Sequence, residues 1–112
     1  MNQRRASIYI DFDKTISPIH GFHIPPAKET IKCIQELYSK YIIIIFSCRA
    51  NLEICDETDF IEMEKYLKTY NIPYDKICRD KPLYIAMIDD RAFNPTVTPW
   101  EDITKELMGK II

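Results

Sequence analysis

Glycine is scarce: Gly21 and Gly109 are the only two in 112 residues, which excludes every glycine-rich loop that cradles phosphate with backbone N–H groups. A phosphate bound by this chain must be held by side chains. A large excess of charge of one sign is also missing. Fifteen basic and 17 acidic residues are interspersed, for a net charge of −2, so there is no broad footprint for extended nucleic acid or an anionic membrane. Cys33, Cys48, Cys55 and Cys78 lie at irregular intervals without a C-x-x-C, which excludes a zinc ribbon and a thioredoxin motif. Free thiols in a reducing cytosol fit them better than disulfides. The longest apolar run, Tyr41 to Phe46, is far too short to span a bilayer, and the N-terminal MNQRRAS has no apolar h-region of a signal peptide behind it. A cytoplasmic protein without membrane contact is expected. No repeat or low-complexity segment is present.

What the chain does have is a large apolar share, 46% of residues, with 12% aromatic, enough for one domain over residues 1–112 with its own core. Ser7 to Asp11 reads as a short strand. Tyr41 to Ser47, a continuous run of β-branched residues, suits a strand buried on both faces of a parallel sheet. Between them Pro25 and Pro26 pre-set a helix start, and Ala27, Ile31, Ile34, Leu37 and Tyr41 recur at helical spacing, making a βαβ unit. A second helix is predicted from about Asp59 to Tyr70, with Thr58 as N-cap and Asn71 at its end. A weak strand follows over Tyr74 to Asp80, then a turn at Lys81 to Tyr84 and a strand at Ile85 to Asp90. Thr98-Pro99-Trp100-Glu101 has the form of a capping box that starts a last helix, with Trp100, Ile103 and Leu107 inward. Alternating strands and helices predict a three-layer, Rossmann-like α/β fold: a mainly parallel central sheet with helices on both faces and the ligand crevice beyond the carboxyl ends of the strands.

Polar residues fall at that end of each strand. Asp11 ends the first and is followed by Asp13, Ser47 follows the second, and Asp89 and Asp90 end the last. Carboxylates gathered there repel, by about 4 kcal/mol for two unit charges about 4 Å apart at an effective dielectric near 20. A divalent cation resolves that conflict. All-oxygen ligation suits magnesium, and no histidine or thiol cluster argues for zinc. Lys81 and Ser47 complete a phosphate site as counter-charge and hydroxyl donor.

Taken in order, these residues resemble the haloacid dehalogenase superfamily of phosphotransferases over about Ile8 to Ala92. Asp11-Phe12-Asp13-Lys14-Thr15 looks like its first motif, D-x-D-x-T, and Ser47 behind the apolar strand looks like its second. Lys81 and Ile88-Asp89-Asp90 look like the third and fourth. One departure is Lys14, which stands where glycine is frequent. Asp13-Lys14-Thr15 also resembles the phosphorylation sequence of the cation-pump ATPases of that superfamily, but that parse leaves Asp11 without a role.

The resemblance implies a magnesium-dependent phosphomonoester hydrolase. Asp11 would attack phosphorus, forming an aspartyl-phosphate, and Asp13 would serve first as acid and then as base. Ser47 and Lys81 would hold the phosphoryl oxygens, with Lys81 also orienting the nucleophile. Magnesium would take Asp11, the carbonyl of Asp13 and Asp89, with Asp90 bound directly, through water, or paired instead with Arg91. Arg49 and Arg91 are read either as anion contacts or as surface ion pairs, and His20 and His23 either as substrate contacts in the flap after the first strand or as plain loop residues. Residues 17–25 and 48–80, where the family inserts cap domains, are too short to hold one. A capless site must be covered by a large substrate or by a neighbouring copy of the chain in a homo-oligomer. Small phosphates, nucleotides and phosphorylated macromolecular ends all fit, a nucleic-acid 3′-end phosphatase among them. The opposing class is a catalytically idle phosphate- or metal-binding regulatory module of receiver type.

Overall fold

The computed structural model describes residues 6–84 and 86–110. The chain runs β1 (Ser7–Ile10), α1 (Lys28–Tyr38), β2 (Ile42–Phe46), α2 (Glu57–Thr69), β3 (Lys76–Cys78) and α3 (Trp100–Met108). The strands form a parallel sheet of order β1-β2-β3. Asp75 locks β3 to β2: its carboxylate accepts the Ile43 N–H at 2.8 Å and its own N–H donates to the Ile43 carbonyl at 2.8 Å.

Side-chain alternation divides the sheet. Ile10, Ile43 and Ile45 point toward Ile34 and Leu37 of α1 and Met63, Tyr66 and Leu67 of α2, and all are buried in one cluster. Each large apolar side chain taken out of water there contributes about 1.5–3 kcal/mol. The sequence predicts helices on both faces, whereas α1 and α2 share one. The reason is topological: both crossovers step the same way across the sheet, and two right-handed crossovers in one direction fall on the same side. Tyr9 and Ile44 face the other way, Tyr9 half-exposed and edge-on to Phe46. The third helix, α3, packs against α1. Its exposed carbonyl end is capped from the α1–β2 junction, where Tyr41 donates to the Leu107 carbonyl and the Lys40 ammonium to those of Met108 and Lys110.

The helix ends show where local chemistry prevails. α2 starts before its predicted N-terminus because Asp56, not Thr58, is the cap, accepting the Asp59 N–H at 3.2 Å. It ends as predicted at Asn71, whose φ of 57° makes a left-handed cap. The Ile72 and Asn71 N–H groups return to the carbonyls of Leu67 and Lys68, a Schellman arrangement with Ile72 and Leu67 both buried. The capping box at Thr98 is not formed: α3 has no side-chain cap, and the Pro99 carbonyl takes the N–H groups of Asp102 and Ile103.

The predicted strand at Ile85 to Asp90 is also corrected. Ile85 lies outside the described residues, and residues 86–89 form neither strand nor helix and are exposed, with Met87 51% and Ile88 101% accessible. Apolar content alone does not make a strand; it needs a pairing partner, and none is recorded for this segment among the described residues. Asp89 closes a local turn instead, accepting the Arg91 N–H at 2.7 Å.

After β1 the chain makes a tight helical turn, Phe12–Ile16, broken at Asp13 and Lys14. Lys14 has φ 57° and ψ 20°, the left-handed conformation that glycine adopts without cost. An L-residue there loses about 1–2 kcal/mol, partly offset because glycine is more disordered when unfolded, by about 0.5–1 kcal/mol. Lys14→Gly should therefore leave stability unchanged or raise it by up to about 1.5 kcal/mol, and β-branched Lys14→Val should lower it by more than about 1 kcal/mol. Urea melts of the two variants check this; equal losses would contradict it.

Candidate active site

The buried side chain of Phe12 sets the spacing of the first motif. It is fully enclosed, edge-on to Tyr66 at 5.0 Å and tilted on Phe22 at 5.5 Å, and its burial fixes the backbone between Asp11 and Asp13. Asp11, at the carboxyl end of β1, accepts the Phe12 N–H at 2.7 Å and the Lys81 ammonium at 3.0 Å on the same oxygen, Oδ1. Lys81 is only 5% exposed. Its ammonium lies 5.4 Å from the Phe46 ring and 5.2 Å from the Tyr84 ring, and its carbonyl accepts the Asn51 amide at 2.9 Å. Burial pushes the ammonium pKa down, but the hydrogen bond to Asp11 and its charge more than offset this, so the pKa stands above its ordinary value.

Ser47 follows β2 and is buried at 1% exposure. Its Oγ accepts the Arg49 N–H at 3.2 Å and opens the short 3₁₀ turn Cys48–Ala50. The same turn carries the Cys48 Sγ to the Pro82 carbonyl at 3.4 Å, so the ends of β2 and β3 are tied side by side behind Lys81.

Asp13 has different partners. Arg49 reaches its carboxylate with Nη2 at 2.8 Å and Nε at 2.9 and 3.1 Å, and the Gly21 N–H adds a bond of 2.8 Å. Arg49 is anchored in turn by Asp59 of α2 at 2.9 Å and lies over the Phe22 ring at 4.6 Å. Burial pushes the guanidinium pKa down; hydrogen bonding to Asp13 and the charges of Asp13 and Asp59 hold it above its ordinary value. Gly21 can donate because Ser17, fully buried, holds the loop closed through the Ile19 and Gly21 carbonyls, and because glycine tolerates the φ of 114° found there.

The structure thus brings Asp11 together with Lys81 and ties Asp13 to the turn that begins at Ser47. It does not gather Asp89 and Asp90 with them. Both are exposed beyond the non-strand segment, and among the described residues no group of three or more His, Cys, Asp or Glu is arranged to hold a metal ion. The donor set for magnesium is therefore not assembled in this arrangement. His20, His23 and Arg91 are exposed. All four cysteines are free, and no helix among the described residues is long and apolar enough to cross a membrane. What sequence reasoning missed is the Asp13–Arg49–Asp59 chain. The one usable signal was Arg49 two residues after the strand-end serine, where a 3₁₀ turn swings it back toward β1.

Folded-state burial also raises the phenol pKa values of Tyr41, Tyr66 and Tyr74 above the ordinary 10.0. These groups and Lys81 hold their protons more tightly folded than unfolded. Their contribution to stability is complete below about pH 10 and is lost as the pH climbs through their folded values. The melting temperature should change little between about pH 7 and 9 and fall above about pH 10; a rise there would contradict the assignment.

No family model and no curated protein matches the chain. Among solved structures it is similar to an MCSG target from Vibrio cholerae, known as a crystal structure, with a TM-score of 0.70 and 19% sequence identity over 92% of this chain and 99% of that chain. At that identity the likeness shows the fold alone, an α/β fold consistent with the Rossmann-like type. Within it the described residues define a carboxylate–lysine pair beyond the carboxyl ends of a parallel sheet.

Proposed function

We propose that the protein is a phosphomonoester hydrolase of haloacid dehalogenase type, its sheet belonging to a three-layer, Rossmann-like fold without a cap domain. The observation that carries the reading is the buried Lys81 ammonium 3.0 Å from Asp11. A lysine 5% exposed, held against a carboxylate at the strand ends, is costly as a structural device and useful as a fixed counter-charge for a phosphoryl group. Ser47 at the end of the neighbouring strand supports the same assignment as a hydroxyl donor.

In this reading an Asp11 oxygen attacks phosphorus in line as the bond to the ester oxygen breaks, and Asp13 gives that oxygen its proton. Water then attacks the aspartyl-phosphate, Asp13 takes a proton from it, and inorganic phosphate leaves. Magnesium belongs to the proposal on the donor chemistry of Asp11, the Asp13 carbonyl, Asp89 and Asp90 alone; when bound it would neutralise the charge gathered there, and no step above runs through it. The open strand ends favour a phosphorylated substrate large enough to cover them, or cover from a second copy of the chain.

The test is phosphate release, with and without magnesium, from nucleotides, sugar phosphates and 3′-phosphorylated oligonucleotides. Wild type should turn over at least one class, and Asp11→Asn should lose at least about 10⁴-fold. Turnover retained by Asp11→Asn would sink the nucleophile assignment. Phosphate binding without turnover on any class would favour the regulatory module.

A further inference from the structure

The two oxygens of Asp13 are not equivalent. Oδ1 accepts from the Gly21 N–H at 2.8 Å and Arg49 Nη2 at 2.8 Å, and lies 3.1 Å from Arg49 Nε, whose single hydrogen is shared and sits closer to the other oxygen. Oδ2 receives one, from Arg49 Nε at 2.9 Å. A carboxylate oxygen offers about two lone-pair sites, so Oδ1 is saturated and Oδ2 keeps one open. The Asp13 side chain is 19% exposed and that of Arg49 11%, so the acid keeps contact with solvent.

We propose that Arg49 is a positioning residue that, with the Gly21 N–H, fills Oδ1 of Asp13 and occupies one site on Oδ2, so that the remaining site on Oδ2 is the one that exchanges protons with the substrate. This rests on the phosphomonoesterase reading. The Oδ2 proton goes to the ester oxygen as its bond to phosphorus breaks, and Oδ2 later takes one proton from the water whose oxygen bonds phosphorus, so the carboxyl returns to its starting state.

The surroundings of Arg49 fit positioning better than anion capture. Its guanidinium cannot lose a proton and so cannot be the acid itself. Its fork spans Asp13 on one side and Asp59 on the other, and one face lies on Phe22, so three of its five N–H donors, one on each nitrogen, are engaged within the protein. A lysine, a point charge without a planar fork, could neutralise Asp13 but could not hold both oxygens in a fixed plane with one site left open.

The readout that separates positioning from a merely structural role is leaving-group dependence. A dinitrophenolate departs as a stable anion and needs no proton, whereas an alkoxide does. In the first turnover, Arg49→Ala should release the alcohol of an alkyl phosphate about 10²-fold more slowly than wild type, the scale of general acid catalysis. Release of 2,4-dinitrophenolate from its phosphate should slow less than about fivefold, and Arg49→Lys should behave like Arg49→Ala on both. Asp59→Asn, which keeps Arg49 and removes one anchor, should show the same selectivity with a loss of about 3- to 10-fold on the alkyl ester alone; this variant serves if Arg49→Ala does not fold. Equal losses on both esters, or full rescue by lysine, would overturn the inference and leave the phosphatase reading intact. A wild type that hydrolyses neither ester, nor any nucleotide, sugar phosphate or 3′-phosphorylated oligonucleotide, overturns both.

Discussion

Lys81→Met should lower phosphate turnover by about 10²- to 10³-fold, the scale found when one fixed donor to a developing oxyanion is removed, with little change in stability. The asymmetry of the pair makes this specific. The Lys81 side chain is 6% exposed and that of Asp11 40%, so when the lysine is replaced by an apolar chain of similar length the carboxylate can still be solvated, and methionine occupies the slot between Phe46 and Tyr84. Exposed or half-exposed ion pairs contribute at most about 1 kcal/mol. The reverse deletion differs: Asp11→Asn keeps a buried ammonium and removes its charged partner, which should cost about 1–3 kcal/mol. Denaturant melts of the two variants beside their turnover measure both effects. A methionine variant that turns over normally would remove Lys81 from the phosphate site.

Phe12→Ala should have the largest effect on the fold, a loss of about 3–5 kcal/mol from a total of about 5–15 kcal/mol for a domain of ordinary stability. Phe12 is fully buried against Tyr66 and Phe22, and a helical turn with two non-helical residues surrounds it, so the site has little capacity to close over the cavity. The same side chain pins the backbone between the two aspartates. Phe12→Leu, which refills most of the volume, should recover most of the stability but little of the activity if the ring fixes the Asp11–Asp13 spacing. Turnover recovering in step with stability would show that Phe12 acts through the core alone.

Legibility in the sequence followed the range of the interactions. β2 was readable because a run of four isoleucines between Tyr41 and Phe46 has few other uses, and α1 because its apolar spacing covers three turns. The C-terminus of α2 was readable because Asn71 satisfies a local backbone need. Asp11, Ser47 and Lys81 could be selected because strand ends in a parallel sheet share one edge. The Thr98 capping box failed although its pattern was present, since α3 begins one residue later, with Pro99 rather than Thr98 in the capping position. The segment around Met87 and Ile88 failed because strand formation depends on a partner that apolar content does not specify. The Asp13–Arg49–Asp59 chain joins three segments 36 and 10 residues apart, and no short-range pattern relates them.

The strand order has a consequence for how the molecule is made. Because β1, β2 and β3 lie side by side in the order in which they are synthesised, each pairs with the strand that left the ribosome just before it, and no pairing position has to be kept open for a later arrival. α1 and α2 close over the same face as they emerge, so the apolar face of the nascent sheet is covered progressively. The docking of α3 onto α1 comes after all three strands have been made, so that helix pair joins a sheet whose apolar face is already covered.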